Sequence, residues 1–172
     1  MSAASYIEFT DLLGNPFAAL SPCENHVYPF VWALEDDSFA IVNDTSIIYF
    51  DKNRSEVWKK EYKRVYSTGV IDDRVFIAAV SSVEGANACK IVLINKAGNI
   101  VKDYQLGEEV YNISTYHDTA AINTGREVHF VNGRGDLIVK YSSISDVEEV
   151  HFFSKNEAAV VTKNSVDIVR IR

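Results

Sequence analysis

Cysteine is scarce in this chain, with Cys23 and Cys89 standing alone and far apart. A structural zinc site needs about four soft ligands, commonly in short C-x-x-C or H-x-x-x-H steps, and no such step occurs. The spacing alone does not place the two cysteines within bonding range, and two half-buried free thiols are the expectation. Proline is limited to Pro16, Pro22 and Pro29, and no Gly/Ser-rich linker divides the sequence, so residues 1–172 read as one domain. No apolar run approaches the ~18 residues of a spanning helix. Met1-Ser2-Ala3-Ala4-Ser5 has neither a basic n-region nor an apolar h-region, so no signal peptide is expected. The expected product is a soluble chain, either cytoplasmic or an excised extracytoplasmic domain. Basic residues are also in deficit: 17 Lys+Arg face 24 Asp+Glu, for a net charge of −7. That balance argues against nucleic acid or an anionic membrane as partner, since both require a basic footprint.

What the sequence does contain is short apolar runs. Hydrophobic residues make up 47% and aromatics 12%, enough for a sizeable core in one domain. Helical periodicity is weak throughout. Runs rich in β-branched and aromatic residues recur instead, divided by turn chemistry about every 7–12 residues. Examples are Phe39–Val42, Ser46–Phe50, Val75–Val80, Lys90–Ile94, Thr119–Ile122, Val128–Val131, Ala158–Val161 and Val166–Ile171. The pattern is all-β.

Three markers recur in fixed order. Val27-Tyr28, Val65-Tyr66, Val110-Tyr111 and then Val147 each open a strand. The pairs Asp36-Asp37, Asp72-Asp73, His117-Asp118 and Lys155-Asn156 turn into a second strand. Asp51-Lys52-Asn53-Arg54, Asn95-Lys96-Ala97-Gly98 and Asn132-Gly133-Arg134-Gly135 turn out of a third. A period of about 40 residues with four short strands, here a to d, matches one propeller blade. The repeats cover approximately 27–64, 65–109 and 110–146, with 1–26 and 147–172 as partial blades. The expected architecture is a β-propeller of about four blade equivalents, its terminal strands shared between the two ends or with a second chain.

The stretch Phe50 to Tyr66, followed by Asp72-Asp73-Arg74-Val75-Phe76-Ile77-Ala78, resembles the PQQ-like, quinoprotein-type propeller repeat. That pattern runs Asp-x-x-x-Gly-Lys, Val-x-Trp, then Asp-x-x-Val-Tyr. Only Trp58 keeps the tryptophan, with Val101-Lys102 and Val139-Lys140 assigned to its place in the later repeats. The strand rhythm is also WD-like. In the family, the quinone enzymes use adjacent cysteines, an aromatic floor and a calcium-ligating acid set, whereas other members are non-enzymatic scaffolds, including an outer-membrane assembly lipoprotein. This sequence has no adjacent cysteine pair, so the resemblance implies a scaffold without a quinone.

The remaining chemistry is sparse. Asp51-x-Asn53-x-Ser55 has calcium-loop spacing, but Glu56 and Tyr62 occupy the places where such a loop needs Gly and an acid. His26, His117, His129 and His151 show no converging spacing, and no Gly-x-Ser-x-Gly elbow activates a serine. No catalytic residue, cofactor or metal ligand is assigned. The expectation is a non-enzymatic scaffold for an unidentified protein partner, with a homo-oligomer as one route to completing the ring. Its candidate interaction surface comprises Trp32, Tyr66, Tyr111, Tyr116, Glu84 and Asn87. The alternatives are a small-ligand or carbohydrate binder at the channel mouth, or a propeller hydrolase or oxidoreductase.

Overall fold

A computed structural model describes residues 7–10, 13–14, 16–20, 30–81 and 89–172. Its strands are β1 (Ile7–Thr10) and β2 (Pro16–Leu20), then β3 (Phe30–Ala33), β4 (Phe39–Val42), β5 (Ser46–Phe50) and β6 (Glu56–Glu61). There follow β7 (Arg64–Ile71), β8 (Val75–Ser81), β9 (Cys89–Asn95) and β10 (Ile100–Leu106), then β11 (Asn112–Tyr116), β12 (Thr119–Asn123), β13 (Glu127–Asn132) and β14 (Leu137–Ser142). The last are β15 (Val147–Ser154), β16 (Glu157–Thr162) and β17 (Val166–Arg170). Three sheets are four-stranded antiparallel meanders, β3–β6, β7–β10 and β11–β14. β15–β17 form a three-stranded sheet and β1–β2 a separate two-stranded one; among the described residues the two partial blades are not joined into one sheet. Among the described residues, no helix is long and apolar enough to cross a membrane.

The blades stack face to face, which explains the burial pattern. The second strands are buried on both faces, as in β4, β8 and β12, whereas the outer strand β6 alternates. Small residues recur where the faces meet: Ala40, Ala78, Ala79, Ala120, Ala121, Ala158 and Ala159 are all buried. Each interface is its own core. Val42, Ile47, Tyr49 and Trp58 of the first blade meet Phe76, Ala78 and Val92 of the second. Ile77, Ile91 and Leu93 of the second meet Ile113, Ala120 and Ile122 of the third. Ala121, Val128 and Phe130 of the third meet Val150, Ala158 and Val160 of the last. At about 25 cal/mol per Å² of apolar area, these interfaces are the main source of stability.

The three recurring turns between third and fourth strands share one geometry. In each, the first side chain accepts backbone hydrogen bonds from the second and fourth residues after it. Asp51 Oδ1 accepts from Asn53 N and Ser55 N, both at 2.9 Å. Asn95 Oδ1 takes Ala97 N and Asn99 N at 3.0 and 2.9 Å, and Asn132 Oδ1 takes Arg134 N and Asp136 N at 2.9 and 3.0 Å. The residue three positions after the Asp or Asn is left-handed: Arg54 at φ 65°, Gly98 at 80° and Gly135 at 77°. Asp or Asn folds such a turn by capping its own backbone, and glycine fits the left-handed position without strain. A register shift lies beside every one of them, at Tyr49/Phe50, Ile100/Lys102 and Phe130/Val131.

The register corrects one assignment. Trp58 pairs with Tyr49 and Lys102 with Leu93, just past their bulges, and in the third repeat the partner of Phe130 is Val139. Val139, not Lys140, therefore holds the tryptophan position. The two are neighbours on β14, and a shift of one residue turns a side chain to the opposite face.

Candidate functional site

First strands of successive blades lie side by side. Trp32 Nε1 on β3 donates to Thr68 Oγ1 on β7 at 3.0 Å, and Ser67 Oγ on β7 accepts from Ile113 N on β11 at 2.9 Å. Gly69 permits this approach, since a Cβ there would stand 2.5 Å from Thr115 Cγ2. The turns that end these strands consequently gather at one mouth of the array.

Those turns are tight. Asp37, Asp72, Asp73 and His117 have φ of 62°, 48°, 53° and 49°. Asp is one of the few non-glycine residues that adopts this region readily. Between the turns lies a cleft of about 640 Å³, lined by Glu35, Asp36, Asp72, Asp73, Arg74, Lys96 and His117 among others. Adjacent turns are bonded directly: Asp72 N donates to His117 O at 2.6 Å, and Glu35 N to Asp73 Oδ1 at 3.1 Å.

Lys96 organises the cleft. It projects from the β9–β10 turn, and its Nζ bridges Asp36 Oδ2 at 2.9 Å and Asp73 Oδ2 at 3.4 Å. Hydrogen bonds from Ser38 and then Lys96 hold the Asp36 carboxyl down at a pKa of about 2, against partial desolvation. Burial works against the Lys96 ammonium, yet Asp36 and Asp73 outweigh it and leave its pKa raised. Four carboxylates thus face two fixed cations in the cleft lining. Acidic side chains outnumber basic ones in the lining, and the arrangement suits recognition of a cationic group.

The residues anticipated as an interaction surface are dispersed. Trp32 is half-buried, with its indole tied to Thr68, and packs on the first interface. Tyr66 packs on the second, beneath the Arg64 guanidinium 4.9 Å from its ring. Tyr111 is exposed at the opposite end of β11 beside Gly125. Tyr116 is partly exposed next to the cleft residues Thr115 and His117 but does not line the cleft; it stacks on Phe152 of the last blade with centroids 5.8 Å apart and lies edge-on to His117. Glu84 and Asn87 lie outside the described residues, as do Cys23 and His26. Cys89 is a buried free thiol whose pKa burial pushes up to about 11. His151 pairs with Glu149 at 2.7 Å on the last blade. Sequence reasoning missed Lys96, which was legible only as a turn residue. Its reach to the turns of two blades appears once the blades are stacked.

Residues 17–171 match the model of DUF5711, a family of unknown function. The chain belongs to that family. No curated protein matches this DUF5711 member. Among solved structures it is similar to Sqt1 of Saccharomyces cerevisiae, at 10% identity and a TM-score of 0.72, covering 98% of this chain and 53% of that one. BamB of Moraxella catarrhalis gives 13% identity and a TM-score of 0.67, covering 96% and 51% respectively. BBS1N, solved in complex with ARL6DN, gives 12% identity and 0.65, covering 98% and 59%. The DUF5711 chain spans just over half the length of each. At these identities the likeness shows the fold, which is that of a β-propeller.

Proposed function

We propose that this DUF5711 chain is a non-enzymatic protein-interaction scaffold built on PQQ-like repeats, and that its partner presents a basic segment to the cleft at the turn-bearing mouth. The observation that carries the reading is the Lys96 bridge between Asp36 and Asp73. A general acid or base works best with a pKa near the operating pH, whereas Asp36 is moved the other way, to about 2. Groups fixed in charge and bonded to one another form a rigid recognition surface on a rigid scaffold. Glu35, Asp72, Arg74 and His117 line the same cleft as exposed side chains that a partner reaches. BBS1N, a structural relative, was solved with a protein bound, which supports the same use of the fold here.

The test is capture from an extract of the source cells on the immobilised chain, comparing the unaltered protein with Glu35→Lys and Asp72→Asn. A protein retained by the former and lost by both variants, at unchanged melting temperature, supports the reading. Equal retention by all three overturns it.

A further inference from the structure

A second cluster lies away from the cleft, in the groove between the second and third blades. Glu127 and His129 are two apart on β13 and so face the same side of the strand. Glu108, from the connection between β10 and β11, meets them across the groove. One donor atom from each of the three lies within 4.8 Å of the other two. Sequence spacing gave no sign of this meeting, because Glu108 arrives through blade stacking.

We infer that His129, Glu127 and Glu108 form a binding site for a divalent transition-metal ion of the zinc class. The donor set is one imidazole nitrogen and two carboxylate oxygens, a mixture that zinc accepts. The spacing fits as well. Bonds of about 2.0–2.1 Å in a tetrahedron place neighbouring ligand atoms about 3.4 Å apart. His129 Nε2 and Glu127 Oε2 are already 3.4 Å apart. Their side chains are only 16% and 24% exposed, so the strand holds them in place. Glu108 is exposed and closes the set by a side-chain rotation. Tyr104, Leu106, Val131 and Leu137 wall the adjoining 430 Å³ groove on its apolar side.

The local charge also favours a cation. Lys140 sits on Glu127 Oε2 at 2.5 Å, while Lys102 is engaged by Asp136 at 2.8 Å. One ammonium therefore serves the two carboxylates of the cluster. Lys140 is 44% exposed and part of a surface pair, and such pairs are weak competitors for a metal ligand. Binding needs no redox partner: the ion would take Nε2 of His129 in place of its contact with Glu127, with one oxygen from each glutamate, and water would complete the tetrahedron.

Titration calorimetry with zinc chloride, on the whole chain in a non-chelating buffer, tests the site. The expected result is uptake of one ion, weakened at least tenfold by His129→Ala and by Glu108→Gln and unchanged by His151→Ala. Glu108 is exposed, so its variant folds and keeps the test decisive if His129→Ala does not. Cobalt(II) should give the visible absorption of a tetrahedral centre, lost in Glu108→Gln. Absence of stoichiometric uptake overturns the proposal, as does equal affinity in Glu108→Gln or a loss that follows His151→Ala instead.

Discussion

The indole Nε1 of Trp58 donates to the carbonyl of Lys96 at 3.1 Å, locking the outer strand of one blade onto the turn of the next. Its ring is stacked on Tyr49 and edge-on to Phe76, with centroids 5.6 Å away in each case. Gly98 makes this possible, because a Cβ there would stand 2.8 Å from Trp58 Cδ1. The same contact recurs one blade on, where a Cβ at Gly135 would stand 2.9 Å from Lys102 Cδ.

Gly98→Ala should therefore cost about 2–4 kcal/mol, combining left-handed strain with a clash against a buried ring. Gly135→Ala should cost less, about 1–2 kcal/mol, because its obstacle is a flexible lysine stem beside the left-handed penalty. Urea unfolding of both variants checks the order as well as the size.

The turn-capping carboxylate gives a sharper comparison. Asp51→Ala removes the acceptor of two backbone N–H bonds and should cost about 1–2 kcal/mol. Asp51→Asn should lie within about 0.5 kcal/mol of the unaltered chain, since Asn95 and Asn132 make the same turn. Equal losses in both variants would mean that charge, not capping, matters there.

Acid should weaken the cleft network. A carboxyl whose folded pKa lies below its unfolded value stabilises fully above the unfolded value and loses that contribution as pH falls through the folded one. For Asp36 the window runs from the ordinary 3.8 down to about 2. Thermal melts between pH 5 and 2 should decline less steeply in Asp36→Asn than in the unaltered chain. The difference should shrink in salt, because Asp36 is 56% exposed and its pair with Lys96 is screened.

Two tyrosines offer the opposite kind of change. The hydroxyls of Tyr62 and Tyr104 are buried without a hydrogen-bond partner among the described residues, and burial pushes both pKa values up to about 12. Tyr62→Phe and Tyr104→Phe should be neutral or stabilising by about 1 kcal/mol, measured as midpoint shifts in urea. A loss of more than about 1 kcal/mol in either would show that its hydroxyl is satisfied in solution.

Much of the fold was legible because its signals are local. The Asp/Asn turns repeat with a period of about 40 residues, and each strand closes with its sequence neighbour. The Val139 position was misjudged by one residue because Val139-Lys140 also reads as an apolar residue before a lysine, and only pairing with Phe130 fixes the face. Trp32 acquires its hydrogen-bond partner, Thr68, from one blade away, which no local signal shows. Lys96 and Glu108 are the same case: Lys96 reaches Asp36 on the preceding blade and Glu108 meets Glu127 and His129 on the following one, through packing that carries no sequence motif.

The central claim is that a basic partner segment binds the acidic cleft, and its affinity at two ionic strengths is the most direct measure. With the captured partner in hand, the account predicts at least a tenfold rise in Kd for Glu35→Lys at low salt. It also predicts a steep loss of affinity for the unaltered chain as salt rises. A Kd indifferent to both the substitution and the salt would contradict it.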